Sequence, residues 1–179
     1  MIPIMSELLI SVFKTHAPRQ VQTGEYLFHV GQPVRSVFKV AQGVVLLERP
    51  LPHGDVICQQ RACAGDILAE ASAYSQTYHC DARCVRSAQV QAVPKAEFLD
   101  RVSTDPLLAA EWSKHLAKTV QAARLVGEMR SLKTVSERLD VWLFEHGKLP
   151  EKGQWQLVAN ELAVSREALY RELSKRKCA

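Results

Sequence analysis

From Val21 to about Val93 the chain alternates short apolar runs with glycines. Tyr26-Leu27-Phe28 precedes Gly31, Ser36 to Val40 precedes Gly43, and Val44 to Leu47 follows it. Val56 to Gln60 leads to Gly65-Asp66. Runs of about five residues, with turn signals roughly every ten, predict an all-β sandwich or barrel. Leu51-Pro52-His53-Gly54-Asp55 reads as a hairpin turn. Glu70 to Tyr74 breaks the strand pattern and reads as one helical turn. Ala82 to Val93 resumes it, carried by Val85, Val90 and Val93. Ahead of this region, Ser6 to Lys14 predicts a short helix with Leu8, Leu9, Val12 and Phe13 on its apolar side, closed by Pro18.

After Pro94 the period becomes helical. Proline suits a helix start, so 95–102 reads as a short helix. Asp105 is the expected N-cap of a long helix from Leu107 to about Arg130. Leu108, Trp112, Leu116, Val120, Ala123 and Val126 recur along it at three- and four-residue steps, which makes one apolar stripe. That stripe can pack on the chain's own β domain, or form a two-stranded seam between two copies. Such a helix is about 36 Å long, more than a small barrel covers, which favours the dimer. Leu132 to His146 is a further amphipathic helix, stopped by Gly147, and 150–153 is a turn. Gln154 to Leu162 leads to a tight turn at Ala163-Val164, with Ser165 as N-cap of a last helix from Arg166. On that helix Ala168, Leu169 and Leu173 are apolar, while Arg166, Glu167, Tyr170, Arg171 and Lys175 are free to face outward. Two helices joined so tightly fit the helix-turn-helix that places its second helix in a DNA major groove. Read locally, they fit any amphipathic helical hairpin as well. The fold class is therefore α+β, with a β-rich part over 1–104, a long helix over 105–130 and a helical part over 131–179.

Composition narrows this only slightly. The 179 residues are 47% hydrophobic and 23% charged, ordinary for a globular chain able to bury a core. Net charge is +4, and its distribution is uneven. Residues 1–128 carry 13 basic and 12 acidic side chains, whereas 129–179 carry 10 and 7, closing on Lys175-Arg176-Lys177. That tilt suits a phosphate-facing surface, as it would suit a solvated tail. Met1 to Phe13 lacks a basic n-region and a small-residue cleavage site, and no run of 18 apolar residues exists, so neither export nor a membrane span is expected. Five cysteines at irregular spacing are not a secreted disulfide framework. Reduced thiols in a cytoplasm are the simpler expectation.

The order of parts resembles the Crp/Fnr family of transcription regulators. Gly24-Glu25-Tyr26-Leu27-Phe28 with Gly31 is similar to its opening β hairpin, and Val37 to Val40 with Gly43 to Leu46 to the next. Gly65-Asp66-Ile67-Leu68-Ala69-Glu70 is similar to the entry of its phosphate-binding cassette, and Ser165-Arg166-Glu167 with Arg171 to the start of its reading helix. Together these span roughly 20–177. The resemblance implies a cyclic-nucleotide-binding-like β-roll, a dimer helix through Leu108, Trp112, Leu116, Val120 and Ala123, and a helix-turn-helix. It implies double-stranded DNA with a pseudo-palindromic site, a second copy of the chain and RNA polymerase as partners, with no membrane. Ser165, Arg166, Glu167, Tyr170, Arg171 and Lys175 are the expected DNA-binding residues. The family continues into a β-hairpin wing, and this sequence stops at Ala179, so the wing is expected to be missing and the hold on DNA weaker.

In that family a Gly-Glu pair and a later Arg-Ser or Arg-Thr hold a cyclic nucleotide. Here Ala69 precedes Glu70, and Cys80-Asp81 stand where Arg-Ser is expected, before Ala82. A carboxylate beside the phosphate repels it, and Arg83 is off register on an alternating strand. The expected effector pocket is therefore Glu70, Ala71, Ser72, Asp81 and Ala82, with weak or absent cyclic AMP binding and no cofactor assigned. Cys63, Cys80 and Cys84 could form a metal or redox site, but their spacing fits no standard zinc or iron–sulfur pattern. Small buried thiols filling the barrel are the simpler reading. His16, His29, His53, His115 and His146 are scattered, and Trp112, Trp142 and Trp155 have the spacing of packing residues. A rival from another class is an effector-binding or protein-interaction module that has lost DNA binding. An enzyme is disfavoured, because no nucleophile–base or paired-carboxylate arrangement stands out.

Overall fold

The computed structural model describes residues 6–177 apart from Pro52 and Asp55, so two positions of the 51–55 turn lie outside the described residues, as does Cys178. The elements run α1 (Glu7–Lys14), β1 (Arg19–Val21), β2 (Tyr26–Phe28), β3 (Ser36–Pro50), β4 (Val56–Ala62), β5 (Ile67–Leu68), a 3-10 turn (Glu70–Tyr74) and β6 (Asp81–Pro94). Then come α2 (Lys95–Thr104), α3 (Pro106–Ser131), α4 (Val135–His146), a 3-10 turn (Lys152–Gln154), α5 (Trp155–Glu161) and α6 (Arg166–Lys177). The α+β class holds. Two compact units, 2–117 and 118–179, divide within α3.

In the first unit all strand pairs are antiparallel. β6 lies between β1 and β3, β4 is the far neighbour of β3, and β2 and β5 pair β6 and β3. The two strands expected on either side of Gly43 are one. β3 runs 15 residues without a turn, and its register against β6 shifts around Gly43 instead. Glycine there makes a bulge that bends the strand and rolls the sheet. Inside the roll, Phe28 stacks on Tyr78 at 3.7 Å between centroids and on Phe38 at 5.6 Å. Cys80, Ala82 and Cys84 complete that core, as alternation on one strand face predicts.

A second core lies under the helices: Leu9, Val12 and Phe13 of α1, Phe98 of α2, and Leu108 and Trp112 of α3. Asp105 caps α3 through Oδ1, which accepts from Leu107 and Leu108 N–H at 2.9 and 3.1 Å. Leu108 and Trp112 are 1% and 2% exposed within this unit, with Leu116 half-buried beside them. The upper stripe of α3 is therefore spent on the chain's own roll. Only Val120 and Ala123, of the five expected seam residues, stay exposed.

In the second unit Leu139, Trp142, Val158, Ala159, Leu162, Leu169 and Leu173 form the core. α4 begins at Val135, three residues later than the apolar spacing suggested. Thr134 and Glu137 close a reciprocal capping box there, which leaves Leu132 outside the helix.

Candidate nucleic-acid interface and effector site

α6 is built as its sequence promised. Ser165 Oγ accepts from Ala168 N–H at 3.1 Å, so the hydroxyl caps the helix. Leu169 and Leu173 face the core, and Arg166, Glu167, Arg171 and Lys175 are exposed on the opposite side. The turn before α6 places Ala163 at φ 53°, a left-handed conformation that glycine would adopt without penalty. Three arginines brace the unit. Arg138 Nη1 donates to the carbonyls of Leu162 and Ala163 at 3.0 and 3.3 Å, and its Nε to Leu132 O at 2.9 Å. Arg130 Nε donates to Glu161 O at 3.0 Å. Arg176 pairs with Asp140 at 2.6 Å and Glu172 at 3.0 Å, and donates to Ser136. Arg176 therefore belongs to the scaffold, not to a solvated basic tail.

Tyr170 is half-buried and sits between two partners. Its ring meets Trp155 edge-on at 5.1 Å, and the Arg166 guanidinium carbon lies 5.2 Å from its centroid. The sequence placed Trp155 only as packing and gave no sign of this contact. A groove of about 370 Å³ runs between the first turn of α4, with Thr134 and Ser136, and the Arg171, Glu172 and Lys175 side of α6.

The expected effector residues divide. Glu70 is 6% exposed, and its Oε2 has no hydrogen-bond partner. Ser72 is buried, with its hydroxyl 3.1 Å from His79 Nδ1. Ala71 is exposed, and Ala82 is packed in the roll core. Asp81 Oδ1 accepts from Val30 N–H at 2.8 Å and lies 3.5 Å from His29 Nδ1. Arg83 does not reach toward a ligand. It grips Glu48 on β3 bidentately, with both contacts at 2.7 Å. Glu70 is thus buried as a carboxyl, whereas Arg83 is engaged by Glu48 and Asp81 by the Val30 N–H.

Among the described residues no group of three or more His, Cys, Asp or Glu side chains could hold a metal ion. Cys63, Cys80 and Cys84 form no such site. Burial pushes the Cys80 thiol up to about 11, with the charges of Asp81 and Glu70 adding to the effect, and burial raises Cys84 as well. A thiol so raised is largely protonated at neutral pH and a poor nucleophile or ligand.

Burial also raises the Glu70 carboxyl above 4.5, opposed by a hydrogen bond from its own backbone N–H and reinforced by Asp66. The folded chain prefers the neutral form. That contribution to stability is complete below the unfolded value and is lost as pH rises through the raised folded value. Glu70→Gln should therefore match the parent near pH 4 and exceed it near pH 8, because the amide has the size of the carboxyl and does not ionise. Urea unfolding across that range checks it. Parallel pH curves for the two proteins would assign the titration to another group.

The chain is similar to known proteins in sequence and in fold. Residues 18–105 match the family model of the cyclic nucleotide-binding domain. Electron transport regulator A of Shewanella oneidensis is 23% identical over 126 residues, 70% of this chain and 50% of that protein. The chain thus spans about half the length of the curated relative it matches. FixK2 of Bradyrhizobium japonicum is 18% identical, with a TM-score of 0.76 over 89% of this chain and 83% of that one. The c-di-GMP responsive global regulator CLP of Xanthomonas campestris is 20% identical, with a TM-score of 0.72 over 95% and 91%. At such identities the solved structures speak for the fold, and the family model for the roll. Residues 18–105 thus match the cyclic nucleotide-binding domain, and the chain shares the fold of FixK2 and CLP.

Proposed function

We propose that the chain is a homodimeric, sequence-specific DNA-binding transcription regulator of the Crp/Fnr type that does not answer to cyclic AMP and works in the cytoplasm. The observation that carries this reading is the sidedness of α6: Leu169 and Leu173 are buried, while Arg166, Glu167, Arg171 and Lys175 stand exposed together on a braced helix. Arg166 and Arg171 would take guanine O6 and N7, and Glu167 a cytosine amino group. Ser165 and Lys175 would hold phosphates and set the register. Pairing through the exposed middle of α3, at Val120 and Ala123, would present two such helices to half-sites about one helical turn apart. On the sensor side, Asp81 puts a carboxylate where a phosphate would approach, and Arg83 is already engaged by Glu48.

One experiment tests the reading. Sites are selected from random DNA with the full chain, and binding is then measured with and without cyclic AMP. A pseudo-palindromic consensus is expected, with affinity unmoved by micromolar cyclic AMP. Arg171→Ala should cost about 1–3 kcal/mol and relax one base pair per half-site. Equal weakening on all sequences would make Arg171 a phosphate contact. Failure to select any sequence would refute DNA reading, and calorimetric cyclic AMP binding at micromolar affinity would refute the effector part.

A further inference from the structure

Arginine is a costly reading residue. Its long side chain has many rotamers, and much of that freedom is lost when the guanidinium is fixed on a base edge. On α6 the guanidinium of Arg166 already has a seat. Tyr170 lies one turn further on, at the i,i+4 position that shares a helix face. The Arg166 guanidinium carbon is 5.2 Å above its ring, and Nη2 approaches the phenol oxygen at 3.4 Å. The ring is in turn held from a different helix. Trp155 meets it edge-on at 5.1 Å and 61°, and the indole N–H of Trp155 donates to Pro150 O at 2.9 Å. A line of contacts therefore runs from the backbone before α5 to an exposed guanidinium on α6.

This seat does not compete with base reading. An aromatic ring attracts the face of a guanidinium, whereas hydrogen bonds leave from its edge. Of the five N–H groups, only one at Nη2 is turned toward the phenol, at a distance long for a strong bond. A bidentate contact to guanine needs two, so it can form with the stack intact. Tyr170 has no comparable freedom to reach DNA itself while one edge is against Trp155 and one face is under Arg166.

We propose that Tyr170, fixed by Trp155, is a positioning residue that presents Arg166 to a guanine, and that it sets specificity through Arg166 and not by touching a base. The inference rests on the DNA-reading function proposed above. It changes the role expected for Tyr170 from contact to support, and it gives Trp155 a part in recognition.

The test is a double-mutant cycle on the full chain, with a duplex selected by the parent protein and a random-sequence duplex as control. Tyr170→Leu should weaken the selected site about two- to fivefold, the worth of one exposed cation–π contact. Tyr170→Phe, which keeps the ring, should retain most of the affinity. In an Arg166→Ala background Tyr170→Leu should cost nothing further, and affinity for the random duplex should be the same for the parent, Tyr170→Leu and Tyr170→Phe, which carry equal charge. A second readout uses protein alone: the Arg166 Nε–Hε resonance should be displaced by the ring current and should move on Tyr170→Leu. Losses that add in the double mutant would make Tyr170 a direct DNA contact and overturn the proposal. So would a Tyr170→Leu protein that binds the selected site as the parent does, or an Arg166 resonance indifferent to the ring. A displaced resonance in a parent protein that selects no DNA sequence would instead refute the DNA-reading function, and the positioning role with it.

Discussion

Gly43→Ala is expected to lower the stability of the β-roll by about 3–5 kcal/mol, enough to unfold much of it at ordinary temperature. Two costs combine. Gly43 has φ +92°, a backbone conformation that a side chain tolerates poorly. A Cβ at this position would also stand 2.4 Å from Ser87 O and 2.5 Å from Ala88 Cα. Both are backbone atoms of β6, paired to β3 on either side of the bulge, so neither can swing away as a side-chain tip would. Relief would mean moving β6 and breaking the ladder that joins β1, β3 and β6. Gly31→Ala is the comparison. It shares a positive φ of +82° but meets nothing within 4 Å, so it should cost only the conformational part, about 1 kcal/mol. Urea unfolding followed by far-UV circular dichroism separates the two. Equal losses would mean that the close approach of β3 to β6 contributes nothing.

Gly43 also marks a limit of reading the sequence. A glycine between two β-rich runs signals a turn, and a turn and a bulge use the same left-handed backbone. Only the partner strand decides between them, and that partner is about forty-five residues away, at Ser87 and Ala88. The same limit recurs wherever a partner is distant in sequence. The stripe through Leu108 and Trp112 was legible, but periodicity does not name what covers it. Phe13 and Phe98 from α1 and α2 do so in the same chain. Arg83 read as off register for a phosphate, while its bidentate grip on Glu48 was invisible because cross-strand register is not written locally. Local chemistry fared better. The Ser165 and Asp105 caps depend on neighbours within four residues, and both are present. The one local signal overlooked was Thr134-x-x-Glu137. The apolar residue Leu132 kept the helical spacing and drew the start of α4 too early.

Leu169→Ala should melt the second unit while leaving the roll intact, at a cost of about 2–5 kcal/mol. Leu169 is fully buried, in a core with Leu139, Trp142, Val158, Ala159 and Leu162. That core serves only residues 118–179, a unit small enough that such a loss takes most of its stability. The roll has cores of its own, built on Phe28, Phe38 and Tyr78 and on Phe13, Phe98 and Trp112. Hydrogen exchange should accordingly show protection lost through α4, α5 and α6 and retained in β3 and β6. The DNA selectivity proposed for α6 should vanish with it, since Ser165 can cap and Arg138 can brace a turn only where Leu162 and Leu169 hold the two helices together. Arg171→Ala makes the contrast that gives the result its meaning. It should relax sequence preference with exchange unchanged, because Arg171 is exposed and supports no core. Loss of protection in both units after Leu169→Ala would mean that they fold as one cooperative body. Full protection with lost selectivity would mean that Leu169 shapes α6 without holding it folded.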